Sequence, residues 1–144
     1  MDLTNKLYKV FLIAGSEPLG TAGMQADIKS ISACGGYAAG AITCIVDEDT
    51  IKVKSIQTIP VEMVVSQTYS FLEDVGADCI KTGMLYSQEL VTAIGNVVKK
   101  QSIPIVVDPV MVSSAGDKLL QDDAIQAYKL SLIHISEPTR HLRI

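Results

Sequence analysis

Short continuous apolar runs alternate along this chain with longer segments in which apolar residues recur at helical spacing. Val10-Phe11-Leu12-Ile13-Ala14 runs without a polar residue into Gly15, the pattern of a strand buried on both faces. Thr21 stands where it can cap a helix in which Met24, Ile28 and Ile31 recur at i, i+4 and i+7, and Gly35-Gly36 ends that helix. A second strand, Ala39 to Val46, is expected to break at the acidic run Asp47-Glu48-Asp49. Ile51 to Ile59 alternates as a third, with Val53 and Ser55 on one face and Lys52 and Lys54 on the other. Pro60 takes a first helical position ahead of a stripe of Val61, Val64, Val65, Thr68, Phe71, Leu72 and Val75. A short strand around Cys79-Ile80 runs into Thr82-Gly83. Ser87 then caps a helix with Leu90, Val91, Ile94, Val97 and Val98 inward and Lys99 and Lys100 at its negative end. Ile103 to Val107 is another apolar strand, finishing at Asp108-Pro109, and Asp122 or Asp123 opens a helix containing Ile125 and Tyr128. Alternation of this kind predicts an α/β fold with a mostly parallel sheet covered on both faces.

The end of the chain departs from that design. Leu130 to Arg140 ignores the preceding helical stripe, sets Pro138 where a helix would continue, and resembles a reading-frame translation of a sequencing adapter. The expected organisation is therefore one folded unit over 1–129 and a non-native tail over 130–144. Both histidines, His134 and His141, fall in that tail and are left out of any catalytic argument.

Composition adds exclusions. With 144 residues, 48% of them hydrophobic, the chain can bury a substantial core. A net charge of −4 with scattered Lys and Arg argues against nucleic acid as a partner. No run approaches the length of a bilayer span, and Met1 to Lys9 lacks the apolar stretch of a signal peptide, so a cytoplasmic protein with no membrane partner is expected. Cys34, Cys44 and Cys79 are at neither zinc nor redox-pair spacing and read as small buried hydrophobes.

In an open parallel sheet, ligands gather beyond the carboxyl ends of the strands. Here those ends are Gly15 to Gly23, Asp47 to Asp49, Gly83 to Leu85 and Asp108 to Ala115. The first loop, Gly15-Ser16-Glu17-Pro18-Leu19-Gly20-Thr21-Ala22-Gly23, holds three glycines but neither a dinucleotide fingerprint nor a Walker lysine. It is a close-approach loop at a helix N-terminus, able to seat a ligand or simply to make a tight turn.

Ile13 to Tyr37 (IAGSEPLGTAGMQADIKSISACGGY) resembles the opening of the hydroxymethylpyrimidine/phosphomethylpyrimidine kinases of the ribokinase superfamily. AITCIV at Ala41 to Val46, GADCIKTGML at Gly76 to Leu85, and VVDPVM with GDKLL between Val106 and Leu120 match in the same order and spacing. The resemblance implies a truncated ribokinase-like, three-layer αβα sandwich, a homodimer when full length. It further implies transfer of the γ-phosphoryl of ATP, with Mg²⁺, to the hydroxymethyl group of a thiamin pyrimidine precursor or its monophosphate. By the same resemblance the backbone around Gly15, the Asp27 side chain, Glu48, Met84 and Val110 line the pyrimidine pocket, and Asp108 stands on the phosphate and metal side. The metal-binding segment, the Gly-rich anion hole and the catalytic base of the family would lie downstream of Lys129.

The residue types suit phosphoryl transfer, which relies on positioning and charge neutralisation. Asp27 can hold a substrate hydroxyl, Asp108 can hold Mg²⁺ directly or through water, and Met84 offers an apolar face to a flat ring. Departures from the family pattern are Glu17 for the usual Asp, Leu19 and Thr21 for small residues, Lys52 for Gly, and above all Glu48 for Gln. A Gln amide both donates and accepts, whereas a carboxylate only accepts. Three adjacent acids are also expected to raise one another's pKa. Two further readings follow: a pyridoxal or pyridoxamine kinase, and a non-catalytic relative that binds a ring ligand.

Overall fold

The computed structural model describes residues 6–110. The expected helix at Asp122 or Asp123, the boundary at Lys129 and the tail lie outside them. The elements are β1 (Lys9–Ser16), α1 (Gly23–Ala33), β2 (Tyr37–Glu48), β3 (Val53–Thr58), α2 (Val61–Asp74), β4 (Cys79–Thr82), α3 (Gln88–Val98) and β5 (Ile105–Val107). The sheet order is β3-β2-β1-β4-β5. β1 pairs in parallel with both β2 and β4, β4 with β5, and only β3 runs antiparallel, against β2.

β1 is central, and its continuous apolar run is what that position demands. Phe11, Leu12, Ile13 and Ala14 are all buried because alternate residues enter two different layers. Phe11 and Ile13 join Ala41 and Ile80 beneath α2 and α3, where Val64, Leu90, Val91, Ile94 and Val98 complete the larger core. The Phe11 ring stacks on Phe71 with centroids 4.6 Å apart. Leu12 and Ala14 face the other way, onto Met24 of α1, with Val10, Ile31, Ala38 and Ile42 around them. α1 packs so closely there that a Cβ at Gly40 would lie 2.8 Å from the Met24 methyl. Helices on both faces of a mostly parallel sheet make the expected three-layer αβα arrangement.

Several local expectations are corrected. The acidic run does not break β2. Asp47 and Glu48 pair with Ser55 and Val53, so the strand ends two residues later than the polarity suggested. An antiparallel partner satisfies their backbone while their side chains stay at least partly exposed. The turn is built by Asp49, whose Oδ1 accepts from the backbone N–H groups of Ile51 (2.9 Å) and Lys52 (3.1 Å). These two bonds, and then Lys54, hold the Asp49 carboxyl below the usual range, the reverse of the expected upward shift. Cys34, expected to be buried, is exposed at the end of α1, and Cys79 is half-buried; only Cys44 is fully buried. Pro60 precedes α2 as its N-cap and is not its first residue. Ser87 caps α3 as expected, its Oγ accepting from Leu90 N at 3.3 Å, and all five predicted inward residues of that helix are buried.

Candidate functional site

Because β1, β2, β4 and β5 are parallel, their carboxyl ends share one edge of the sheet. β1 has β2 on one side and β4 on the other, so the chain reverses its direction of strand addition there, and ligands in open α/β sheets bind at such points. A cavity of about 280 Å³ opens at that edge, near the lower end of small-ligand clefts. It is lined by Gly15, Asp27, Glu48, Met84, Asp108 and Val110, and also by Glu17, Val46 and Lys81. All six residues singled out in the sequence are thus brought together from five elements or their exits.

The first loop is closed by its own side chain. Glu17 is buried, at 5% exposure, and its carboxylate accepts from the backbone N–H groups of Leu19, Thr21 and Ala22, the last at 2.8 Å. Burial alone would push this carboxyl up. The backbone donors of Ala22, Thr21, Leu19 and Gly20 outweigh burial and hold it below the ordinary glutamate value. Thr21, expected as the cap of α1, makes no capping bond; Ala22 occupies the cap position, and Glu17 accepts from its N–H and from the loop just ahead of it. The negative charge that the positive end of α1 favours is therefore supplied from within the chain. The fold of the loop also requires glycine at 23. Its φ is +58°, and a Cβ there would lie 2.3 Å from the Gly15 carbonyl oxygen.

The floor is apolar. Val46 and Met84 pack with Cys44, and Val110 closes onto the same cluster. Cys44 lies directly beneath Gly15, its Sγ 3.0 Å from where a Cβ would project, so a side chain at 15 would displace it. Burial raises the Cys44 thiol above its usual value, with the Thr43 hydroxyl opposing, which suits a packing role. Thr43, overlooked in the sequence, donates its hydroxyl to the Met84 carbonyl at 2.7 Å and is itself buried. It fixes the chain at the point where Met84 enters the cavity.

The charged part centres on a residue that sequence reasoning missed. Lys81 Nζ donates to both Asp27 oxygens, at 2.8 and 2.6 Å, and lies 3.4 Å from Asp108 Oδ2. The Asp27 and Lys81 side chains are each about one-fifth exposed, whereas Asp108 is half exposed. Asp27 therefore engages a lysine of its own chain as well as facing the cavity. The available signal was a lone cation inside an apolar strand, between Ile80 and Thr82, within a motif already recognised. Glu48 reaches the cavity from the end of β2, opposite Val53 of β3.

Comparison with known proteins agrees with this architecture. The family described as phosphomethylpyrimidine kinase matches residues 17–137. A hydroxymethylpyrimidine/phosphomethylpyrimidine kinase of Streptomyces coelicolor is 36% identical over 127 residues, 88% of this chain and 47% of that protein. The crystal structure of a phosphomethylpyrimidine kinase from Clostridium difficile superposes with a TM-score of 0.81 at 35% identity, covering 88% of this chain and 55% of that one. A pyridoxal kinase from Staphylococcus aureus, in complex with AMP-PCP and pyridoxal, gives a TM-score of 0.77 at 33% identity over 90% of this chain and 46% of that one. The chain spans about half the length of these relatives.

Proposed function

Since the chain belongs to the phosphomethylpyrimidine kinase family, we propose that the full-length protein phosphorylates hydroxymethylpyrimidine, its monophosphate, or both, from ATP in thiamin biosynthesis. The described segment supplies the ring pocket. The observation that carries this reading is the single cavity in which Gly15, Asp27, Glu48, Met84, Asp108 and Val110 meet at the carboxyl edge of the sheet. A flat ring would lie on the apolar cluster of Val46, Met84 and Val110, with Glu48 at its edge and Asp27 as an acceptor for the hydroxymethyl group. A carboxylate offers about four lone-pair directions, so Asp27 can serve both Lys81 and a substrate hydroxyl. The base that takes the hydroxyl proton, and the anion hole for the transferred phosphoryl group, belong to the half of the kinase downstream of this segment.

Mg²⁺ would neutralise charge on the nucleotide phosphates. Among the described residues no group of three or more potential ligands converges, so those residues by themselves offer no complete cage. A half-exposed single carboxylate such as Asp108 fits a cation held mostly by phosphate oxygens and water. No helix of the described residues is long and apolar enough to cross a membrane. A cytoplasmic location and a homodimer complete the proposal.

The test is product formation by the full-length protein with ATP, Mg²⁺ and hydroxymethylpyrimidine, read by mass. Phosphorylated pyrimidine is the expected result, and binding without turnover would make the protein a ring-binding relative. One observation favours a second reading: Glu48 is an acceptor-only carboxylate at the ring edge. It suits a ring with a protonated nitrogen, as a pyridoxal kinase would hold. Faster turnover of pyridoxal than of hydroxymethylpyrimidine would establish that reading instead.

A further inference from the structure

We propose that Lys81 contacts the phosphate of a ring-alcohol phosphate ester bound in this cavity, anchored by Asp27 and exchanging Asp108 for a phosphoryl oxygen. The inference rests on the ring-alcohol kinase reading and adds to it a site for the group that the reaction attaches.

The charge inventory requires such a residue. Glu17, Asp27, Glu48 and Asp108 all line the cavity, and among the described residues Lys81 is the only cation that does. The Glu17 carboxylate is taken up by the backbone donors of Leu19, Thr21 and Ala22 in the loop ahead of α1. An ester phosphate would therefore meet several carboxylates, and Lys81 alone among these lining residues can offset them.

Its geometry separates an anchor from an exchangeable contact. An ammonium has three donors. The two short bonds go to Asp27, which is as sheltered as Lys81 itself. Asp108 lies 3.4 Å away, a long ion-pair contact to a half-exposed side chain that leaves the third donor direction for a ligand. A phosphoryl oxygen brings more charge than a carboxylate and would take that direction while Asp27 keeps the ammonium in place. Position supports the same assignment. Lys81 stands on a strand paired on both sides, opposite Leu12 and Val106, and Met84 follows three residues later as part of the apolar floor. A ring on that floor and a phosphate at Lys81 would be held by one short stretch of rigid backbone.

The experiment is calorimetric titration of the full-length protein, without divalent cations, with hydroxymethylpyrimidine and with its monophosphate. Wild type is compared with Lys81→Met and Lys81→Arg. Lys81→Met should weaken the ester about ten- to hundred-fold while leaving the alcohol within about three-fold, the scale of one lost charge-assisted hydrogen bond. Lys81→Arg should recover most of the ester affinity. Equal losses for both ligands would mean that Lys81 only supports the fold around Asp27, and no loss for the ester would place the phosphate elsewhere; either overturns the proposal. If Lys81→Met does not fold, Asp27→Asn is compared with Asp27→Asn/Lys81→Met, where the only carboxylate left without its cation is the half-exposed Asp108, and the same ester-specific loss is required. Pyridoxal and pyridoxal phosphate form a second pair. Wild type that binds only this pair refutes the pyrimidine assignment, and Lys81 is then judged on the same ratio. Wild type that binds neither ester refutes the Lys81 proposal outright.

Discussion

Replacing Glu17 isolates the interaction that shapes the first loop of the site. Its carboxylate is almost fully buried and accepts from Leu19, Thr21 and Ala22. Glu17→Ala strips an acceptor from three donors in the loop that leads into α1, the last of them at its cap position. Losing a helix cap typically costs about 0.5–2 kcal/mol, and losing a negative charge at a helix N-terminus adds about 0.3–1 kcal/mol. Leu19, Thr21 and Ala22 are themselves exposed, so water can reach part of what is released, and the sum should stay near 2 kcal/mol rather than reach the full cost of buried unpaired donors. Glu17→Gln keeps an acceptor and removes only the charge, so it should cost about 1 kcal/mol. Urea unfolding of the three proteins from pH 7 downward measures both. Native Glu17 is held below its ordinary value, so its contribution is complete above the ordinary glutamate range. It is lost as the pH falls through the lowered native value, and there wild type and Glu17→Gln should converge. Equal stability of all three proteins at pH 7, or a gap between wild type and Glu17→Gln that widens on acidification, would refute this account of the loop.

Other consequences are as specific. Glu48→Gln in the full-length protein should tighten neutral hydroxymethylpyrimidine about ten-fold by restoring a donor, as read by calorimetry; a weakened affinity would instead indicate a protonated ring as the natural ligand. Thr43→Val removes the hydroxyl that holds the Met84 carbonyl and should lower stability by about 1–3 kcal/mol in urea unfolding, with weaker ring binding. Ile94→Ala, at a fully buried position of α3, should cost about 2–5 kcal/mol in the same assay without changing ring affinity. The 144-residue chain alone should turn over no ATP above a protein-free blank, because the proposed base and anion hole lie downstream of it.

Much of this architecture was legible because it is written locally. The continuous run from Val10 to Ala14, the inward stripe of α3 with its Ser87 cap, and the Gly35-Gly36 stop each depend on residues within a few positions of one another. Periodicity and capping chemistry decide such features wherever the segment sits. The six candidate site residues could be named through the family resemblance of the motifs that hold them; five fall at strand ends, where a parallel sheet collects them, and Asp27 lies on the helix that follows the first. What the sequence did not decide was everything that depends on which strand lies beside which. Polarity alone placed a break at Asp47, but β3 came back antiparallel and extended β2 through Glu48. Asp49, expected to suffer from its acidic neighbours, is instead stabilised by the turn it closes and by Lys54 from the returning strand. Thr21 looked like the cap of α1, yet Ala22 takes that position, and the longer Glu17 side chain folds back onto the N–H groups of Thr21 and Ala22. Most consequential is Lys81. As a sequence feature it is one lysine in an apolar strand, 54 residues from Asp27. Only the order β2-β1-β4-β5, with α1 laid across β1 and β2, sets a side chain from the middle of the sheet between acids from a helix and a neighbouring strand end. Local pattern records what each segment is made of, while charge pairing across the sheet depends on distances that exist only once the strands have found their neighbours.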